Sequence, residues 1–259
     1  MMPIIRAKTI LMEKMAKGDT PLGIFVSSLD PAATEVLGDA GFDFVMLDGE
    51  HGRLGRIEVE HHARAAEVNG TIPFVRVLEN SPTLIQAMLD GGAQGVMVPH
   101  VDTADDARRA VEASLYSPVG QRGMCPACHA GRYTLKDWQV RWRQANENVV
   151  VIPIIESRKS VENIAEIVAV DGIDLVMFGP GDLSADMGID LSTELHRLTE
   201  AWRRVLAATR AAGKRLLAPH GFGYDEADML IVEMDLMLLH RAASGIVAEH
   251  KASLRRVSG

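Results

Sequence analysis

Apolar and polar positions alternate along this chain in two rhythms. Short apolar runs recur between Gly, Pro and charged residues, and between them lie stretches with apolar residues at three- and four-residue spacing. The runs predict strands at Leu22–Val26, Phe42–Leu47, Pro73–Val77, Gly95–Val98, Val149–Ile155, Asp174–Phe178, Arg215–Ala218 and Met229–Val232. They are apolar throughout rather than at every second residue, as in parallel strands covered on both faces. The longer rhythm predicts helices at Pro31–Ala40, Ile57–Val68, Pro82–Leu89 and Ala104–Ala113, the third with Pro near its first turn. Two further helices, Ile4–Met15 and about Met237–Arg256, lie outside the repeat.

Strands alternating with helices at this spacing predict a parallel sheet, and eight strands predict its closure into a barrel, as one α/β domain over residues 1–259. Two connections strain that pattern. Tyr116–Asn148 is a long excursion without a clear strand, and loops of that length usually have a job. Only about ten residues, near Pro219–Ala227, join the last two strands, which is tight for a parallel crossover.

At 259 residues the length suits a single barrel, and 47% hydrophobic with 24% charged residues is enough for a large core. A net charge of −8 argues against a nucleic-acid or anionic-membrane partner. No apolar run approaches a membrane span, and Arg6, Lys8, Glu13 and Lys14 interrupt any signal-peptide core, so a cytoplasmic protein is expected. Two cysteines make no disulfide framework.

The chemistry gathers at strand ends. Glu156 follows Val150-Val151-Ile152-Pro153-Ile154-Ile155, and Asp182 follows Leu175-Val176-Met177-Phe178 through Gly179-Pro180-Gly181. In a parallel barrel those C-terminal ends carry the active site, and two hard carboxylates on neighbouring strands suit a divalent cation. The same two residues could equally begin and cap the helices after them. His51, three residues after Asp48, could be a general base oriented by that carboxylate, or a polar loop residue. Arg76 interrupts an apolar strand, where a charge is costly without a partner. It could clamp a carboxylate or developing oxyanion, or pair structurally with Glu79 or Glu156.

Gly179-Pro180-Gly181-Asp182 offers backbone N–H groups to a small carboxylate, though such a turn also ends a strand with no ligand. Cys125-Pro126-Ala127-Cys128-His129 has haem-attachment spacing, but no export signal accompanies it and a zinc site lacks further ligands. Two loop thiols near the active-site mouth are expected instead. No lysine falls at a strand top: Lys214 precedes strand seven and Lys159 lies in a helix, which excludes Schiff-base aldol chemistry.

With these residues in place, the chain resembles the HpcH/HpaI aldolase family of class II pyruvate aldolases. The resemblance runs in order through Leu47-Asp48-Gly49-Glu50-His51, Val75-Arg76, Leu89-Asp90-Gly91-Gly92-Ala93-Gln94, Arg122-Gly123, Ile155-Glu156-Ser157 and Gly179-Pro180-Gly181-Asp182-Leu183-Ser184. It implies a (β/α)8 TIM barrel, assembled as a trimer or hexamer with the C-terminal helix exchanged between subunits. It also implies cleavage of a 4-hydroxy-2-oxo acid to pyruvate, or a close 2-oxo acid, plus an aldehyde. By the same resemblance Glu156 and Asp182 hold a divalent metal (Mg, Mn or Co) and His51 is the base. Arg76 steadies the enolate, and the Gly181 and Asp182 amides hold the pyruvate carboxylate.

An aspartate that raises the basicity of the histidine maps to Asp90. The strand pattern puts Asp90 after a helix, near the opposite face, so a neighbouring subunit would have to supply it or the boundary must shift. Many relatives have Gln where Ile154 stands, and the Cys125–His129 and Pro219–Tyr224 loops differ too. Those loops would face the aldehyde, so acceptor preference does not transfer. Two other readings stay open: a CoA-ester lyase of the citrate lyase β type, which typically shows Asp-Leu-Glu-Asp where this chain has Asp48-Gly49-Glu50-His51, and a non-catalytic barrel binding protein.

Overall fold

The computed structural model describes residues 6–190 and 192–257, with side chains up to Ser253. The first residues of the expected Ile4–Met15 helix therefore lie outside the described residues. Eight strands follow one another around a closed, all-parallel barrel. They are β1 (Leu22–Val26), β2 (Phe44–Asp48), β3 (Ile72–Arg76), β4 (Gly95–Val98), β5 (Val150–Ile155), β6 (Leu175–Phe178), β7 (Arg215–Pro219) and β8 (Met229–Met234). β8 returns to pair with β1, so no sheet edge is left open.

Parallel partners across the ladders face the same side, and this sorts the core into two shells. Phe44, Met46, Phe74, Met97, Ile152, Ile154, Met177, Leu217 and Ile231 fill the interior. A second set, including Val45, Val75, Val96, Val151 and Val176, packs outward against the helices. Large rings face missing side chains: a Cβ on Gly23 would lie 2.1 Å from the Phe44 ring, and one on Gly95 would lie 2.8 Å from Phe74.

The helices are α1 (Ala7–Ala16), α2 (Ala32–Asp39), α3 (Arg56–Asn69), α4 (Pro82–Asp90), α5 (Ala104–Ser114), α6 (Trp138–Asn148), α7 (Arg158–Glu162), α8 (Ile164–Val168), α9 (Pro180–Asp186), α10 (Leu195–Ala211) and α11 (Asp235–Val257). Their ends carry the expected stop and start chemistry. Thr103 and Asp106 form a reciprocal capping box at α5, and Gly70 ends α3 in the left-handed conformation. α1 plugs the barrel's N-terminal end: Ala7 and Leu11 are buried in the interior cluster, while Lys8 and Lys14 pair with Asp174 and Asp43 just ahead of β6 and β2.

The long excursion connects the end of α5 to the start of β5, so it lies at the plugged end of the barrel, away from the strand tops. It contains the turn-rich Tyr116–Asp137 stretch and the helix α6, which the polar composition of Trp138–Asn148 concealed. Within one chain, Cys125, Cys128 and His129 therefore do not border the active-site mouth, where they were expected. Cys128 and His129 are buried against the ends of α3 and α4, and a Cβ on Gly92 would strike the His129 ring at 2.3 Å.

Glu67 of α3 anchors this loop, accepting from His129 Nε2 at 3.1 Å and from Arg132 Nη2 at 2.6 Å. Burial works to raise its carboxyl, but these two partners outweigh that and hold its pKa near 2. A depressed folded pKa means stability that is present above about pH 4.5 and is lost as pH falls toward 2. Glu67→Gln is expected to lose up to about 3 kcal/mol at neutral pH and to flatten that acid limb. Urea unfolding at pH 7 and pH 3 reads both effects; equal acid sensitivity in the variant would refute the assignment.

No helix forms between β7 and β8. Tyr224 fills the gap instead, its ring 5.2 Å from Phe178 and 4.8 Å from Trp202. As a consequence the outward residues Leu230 and Val232 of β8 stay partly exposed. Beyond β8, α11 runs for 23 residues, about 35 Å, with Met237, Leu239, Ile246 and Val247 exposed along it.

Candidate active site

The C-terminal ends of β2 to β6 bring one charged cluster together. Asp48 is completely buried at the top of β2. Its register partner on β3 is Arg76, which it grips in two parallel bonds: Nε donates to Oδ1 and Nη2 to Oδ2, both at 2.9 Å. Arg76 Nε also lies 3.3 Å from Glu50 Oε2, and the guanidinium stands 4.8 Å over the Phe25 ring. The structural partners expected for Arg76 were Glu79 or Glu156; the observed ones are Asp48 and Glu50.

Asp48 cannot also orient the His51 ring. Its Oδ1 accepts the backbone N–H groups of Glu50 and His51 at 3.1 and 3.2 Å, so Asp48 shapes the loop and fixes Arg76. The His51 side chain is half exposed at the rim, with Nε2 3.9 Å from Glu50 Oε2.

On the other side of the mouth, Glu156 ends β5 and is buried. His100 N–H donates to its Oε1 at 2.7 Å, and His100 Nδ1 lies 3.4 Å from the same oxygen. His100 adopts a left-handed backbone (φ 55°), which turns its N–H toward the carboxylate. Burial raises the Glu156 carboxyl above its ordinary value; the His100 contacts oppose this, while Glu50 and Asp182 raise it further. Asp182 lies in the first turn of α9 and is exposed, as is Gly181, whose missing Cβ faces open space. Among the described residues no three His, Cys, Asp or Glu side chains stand close enough to enclose a metal by themselves.

Asp90 is elsewhere. It ends α4 at the plugged face and is buried against Arg122, whose Nη2 donates at 2.7 Å. The expected placement of Asp90 beside His51 is thus not made within one chain.

Two members of the cluster escaped the sequence reading. Glu50 sits inside the same loop as Asp48 and His51, and His100 follows Val98-Pro99 at the end of β4. The rule that singled out Glu156, a polar residue just past an apolar strand, applies to both.

Residues 22–231 match the family described as HpcH/HpaI aldolase/citrate lyase. The chain belongs to that family. It is an aldolase, a carbon–carbon lyase. It is 35% identical over 251 residues to the 2-keto-3-deoxy-L-rhamnonate aldolase of Salmonella schwarzengrund, spanning 93% of this chain and 92% of the relative. Among solved structures it is similar to an HpcH/HpaI aldolase from Desulfitobacterium hafniense DCB-2, with TM-score 0.86, 28% identity and 93% and 96% of the two chains covered. The citrate synthase SbnG is also similar, with TM-score 0.83, 31% identity and 93% and 97% covered.

Proposed function

We propose that this aldolase cleaves a 4-hydroxy-2-oxo acid reversibly into pyruvate, or a close 2-oxo acid, and an aldehyde, with a divalent cation held by Glu156 and Asp182. The observation that carries this reading is the charge imbalance at the mouth. Burial first, and then the neighbouring charges of Glu50 and Asp182, push the Glu156 carboxyl up, and a hard cation at these oxygens offsets both the lost hydration and the like charges. Two carboxylates without a third side-chain ligand fit such an ion, because it keeps positions for water and for substrate oxygens. Mg, Mn and Co all suit this donor set. When bound, the cation supplies Lewis acidity to the 2-oxo group.

The chain's own residues do the rest. His100 N–H holds Glu156 Oε1 in place, fixing the carboxylate before any ligand arrives. Arg76, held rigidly by Asp48, presents a fixed positive charge to the enolate oxygen as the C3–C4 bond breaks. The amides of Gly181 and Asp182 receive the pyruvate carboxylate in the first turn of α9. His51, half exposed at the rim, takes the proton from the C4 hydroxyl, directly or through water. Asp90 can raise the basicity of that histidine only from a neighbouring subunit. The relative named as a 2-keto-3-deoxy-L-rhamnonate aldolase supports a 2-keto-3-deoxy sugar acid as the substrate type. A CoA-ester lyase is disfavoured by His51 standing where the acidic string would be.

The test is pyruvate release before and after exhaustive chelation, with each metal added back. Undiminished cleavage by metal-free protein would rule the mechanism out. For the assembly, α11 with its exposed apolar residues and the partly exposed outer face of β8 support exchange of this helix between subunits in a trimer or hexamer. Deleting residues 237–259 should then dissociate the oligomer in light scattering; a full-length monomer would refute the exchange.

A further inference from the structure

Glu156 is gripped at both ends. Its N–H donates to the Ser160 hydroxyl at 3.1 Å, and its side-chain Oε1 accepts from the His100 N–H at 2.7 Å. The other oxygen, Oε2, is turned toward Gly179, whose absent Cβ would lie 3.6 Å from it. From that turn α9 departs with Asp182 in its first turn. The grip on Oε1 depends on His100 keeping φ at 55°, which a residue other than glycine holds only where its surroundings impose it.

Those surroundings converge on Asp102, all three of whose polar functions are taken. The carboxylate accepts from the Ser157 hydroxyl at 2.5 Å, within the range of a charge-assisted O–H···O⁻ bond. The carbonyl accepts from Asn163 Nδ2 at 2.8 Å, and the N–H donates to Asp106 Oδ2 at 3.3 Å. Ser157 and Asn163 belong to the segment directly after Glu156, where they flank α7 at its start and its end. Val101, between His100 and Asp102, is fully buried. The start of α7 also reaches the other carboxylate's element: Arg158 N–H donates to Asp186 Oδ2 at 2.7 Å, at the end of α9. One hub thus ties together the loop bearing the His100 donor, the strand bearing Glu156 and the helix bearing Asp182.

Resting on the metal reading above, we infer that Asp102 is a positioning residue for the cation. Its carboxylate is spent on Ser157, so it acts through the β4–α5 loop and not as a ligand. By locking that loop to the start of α7, it keeps the His100 N–H on Glu156 Oε1 and leaves Oε2 aimed at the α9 turn. A carboxylate ordered beforehand gives up little freedom when an ion arrives; without the lock, that loss opposes binding.

Mn2+ binding to the full chain tests this, measured by calorimetry and by the electron paramagnetic resonance signal of the free ion. Asp102→Ala should raise the Mn2+ Kd about tenfold, the lower end of what loss of an outer hydrogen-bond partner does to a metal site. Asp102→Asn keeps an oxygen for the Ser157 hydroxyl and should hold the Kd within about threefold of the parent. In pyruvate release by Asp102→Ala, the Mn2+ concentration for half-activation should rise with the Kd, while kcat at saturating Mn2+ stays within about threefold. Glu67→Gln, destabilised at the plugged end, should keep the parental Kd. Should Asp102→Ala not fold, Asn163→Ala removes only the bond to the Asp102 carbonyl and should raise the Kd about threefold. A lower Tm with unchanged Kd in Asp102→Ala makes the tie merely structural and overturns the inference, as does a lower saturated kcat at parental Kd. Absence of Mn2+ binding in the parent overturns the metal reading, and this inference with it.

Discussion

Arg76→Ala is expected to lose both activity and stability, for two separable reasons. In the proposed mechanism its guanidinium is the fixed positive group facing the developing enolate, and removal of one such group typically lowers kcat by about 10²- to 10³-fold. The second effect comes from Asp48, which is 0% exposed and whose two oxygens are both occupied by Arg76. Stripped of that partner, a buried carboxylate costs about 3–5 kcal/mol. Arg76→Lys separates the two. A single ammonium restores charge without the parallel pair of bonds, so it should recover part of the stability and little of the rate. Denaturant unfolding and steady-state kinetics on the two variants and on Asp48→Asn read this directly. Parental stability in Arg76→Ala would show that the buried pair is not structural, and parental kcat would remove Arg76 from the reaction.

Glu156→Gln is expected to abolish metal-dependent turnover, by about 10³-fold or more if the cation carries the Lewis-acid contribution, yet to leave the metal-free protein more stable than the parent. Burial first, and then Glu50 and Asp182, raise the Glu156 carboxyl in the fold. A carboxylate with a raised folded pKa contributes stability that is fully present below its unfolded value near 4.5 and is lost as pH rises through the folded value. At neutral pH the metal-free parent therefore carries an uncompensated charge that glutamine does not. Glutamine still offers an oxygen to the His100 N–H, so the loop geometry survives. A bound cation reverses the order: it stabilises the parent by mass action, and the variant gains little. Thermal unfolding with and without Mg, Mn or Co, at pH 5 and pH 8, tests all of this. A metal-induced rise in Tm that persists in Glu156→Gln would dismiss Glu156 as a ligand, and a less stable metal-free variant would contradict the charge argument.

These two residues also show how far a linear chain can be read. Glu156 was legible because an apolar run stopping abruptly on a carboxylate is a local event. Arg76 was legible as an anomaly inside a strand, but not its partner. Both suggested partners, Glu79 and Glu156, were wrong. Asp48 is 28 residues away along the chain and is adjacent only because β2 and β3 pair in register. His100 stands just past an apolar strand and was within reach of the same rule, but that its N–H turns toward Glu156 in a left-handed conformation is visible only in the fold. The CxxCH string was set aside as chemistry yet expected near the mouth, whereas the loop's place after a helix and before a strand puts it at the plugged end of its own barrel.

The periodicity of apolar residues by itself determined the barrel, the strand order and which residues stand at strand tops, because burial on both faces and alternation with helices admit few other closures. What only tertiary structure decided is pairing: Asp48 with Arg76 rather than with the His51 ring, Asp90 with Arg122 at the far face, and the His100 N–H with Glu156. Those outcomes depend on register between strands and on where each connection lands, quantities set by distances across the barrel that no order of residues along one strand encodes.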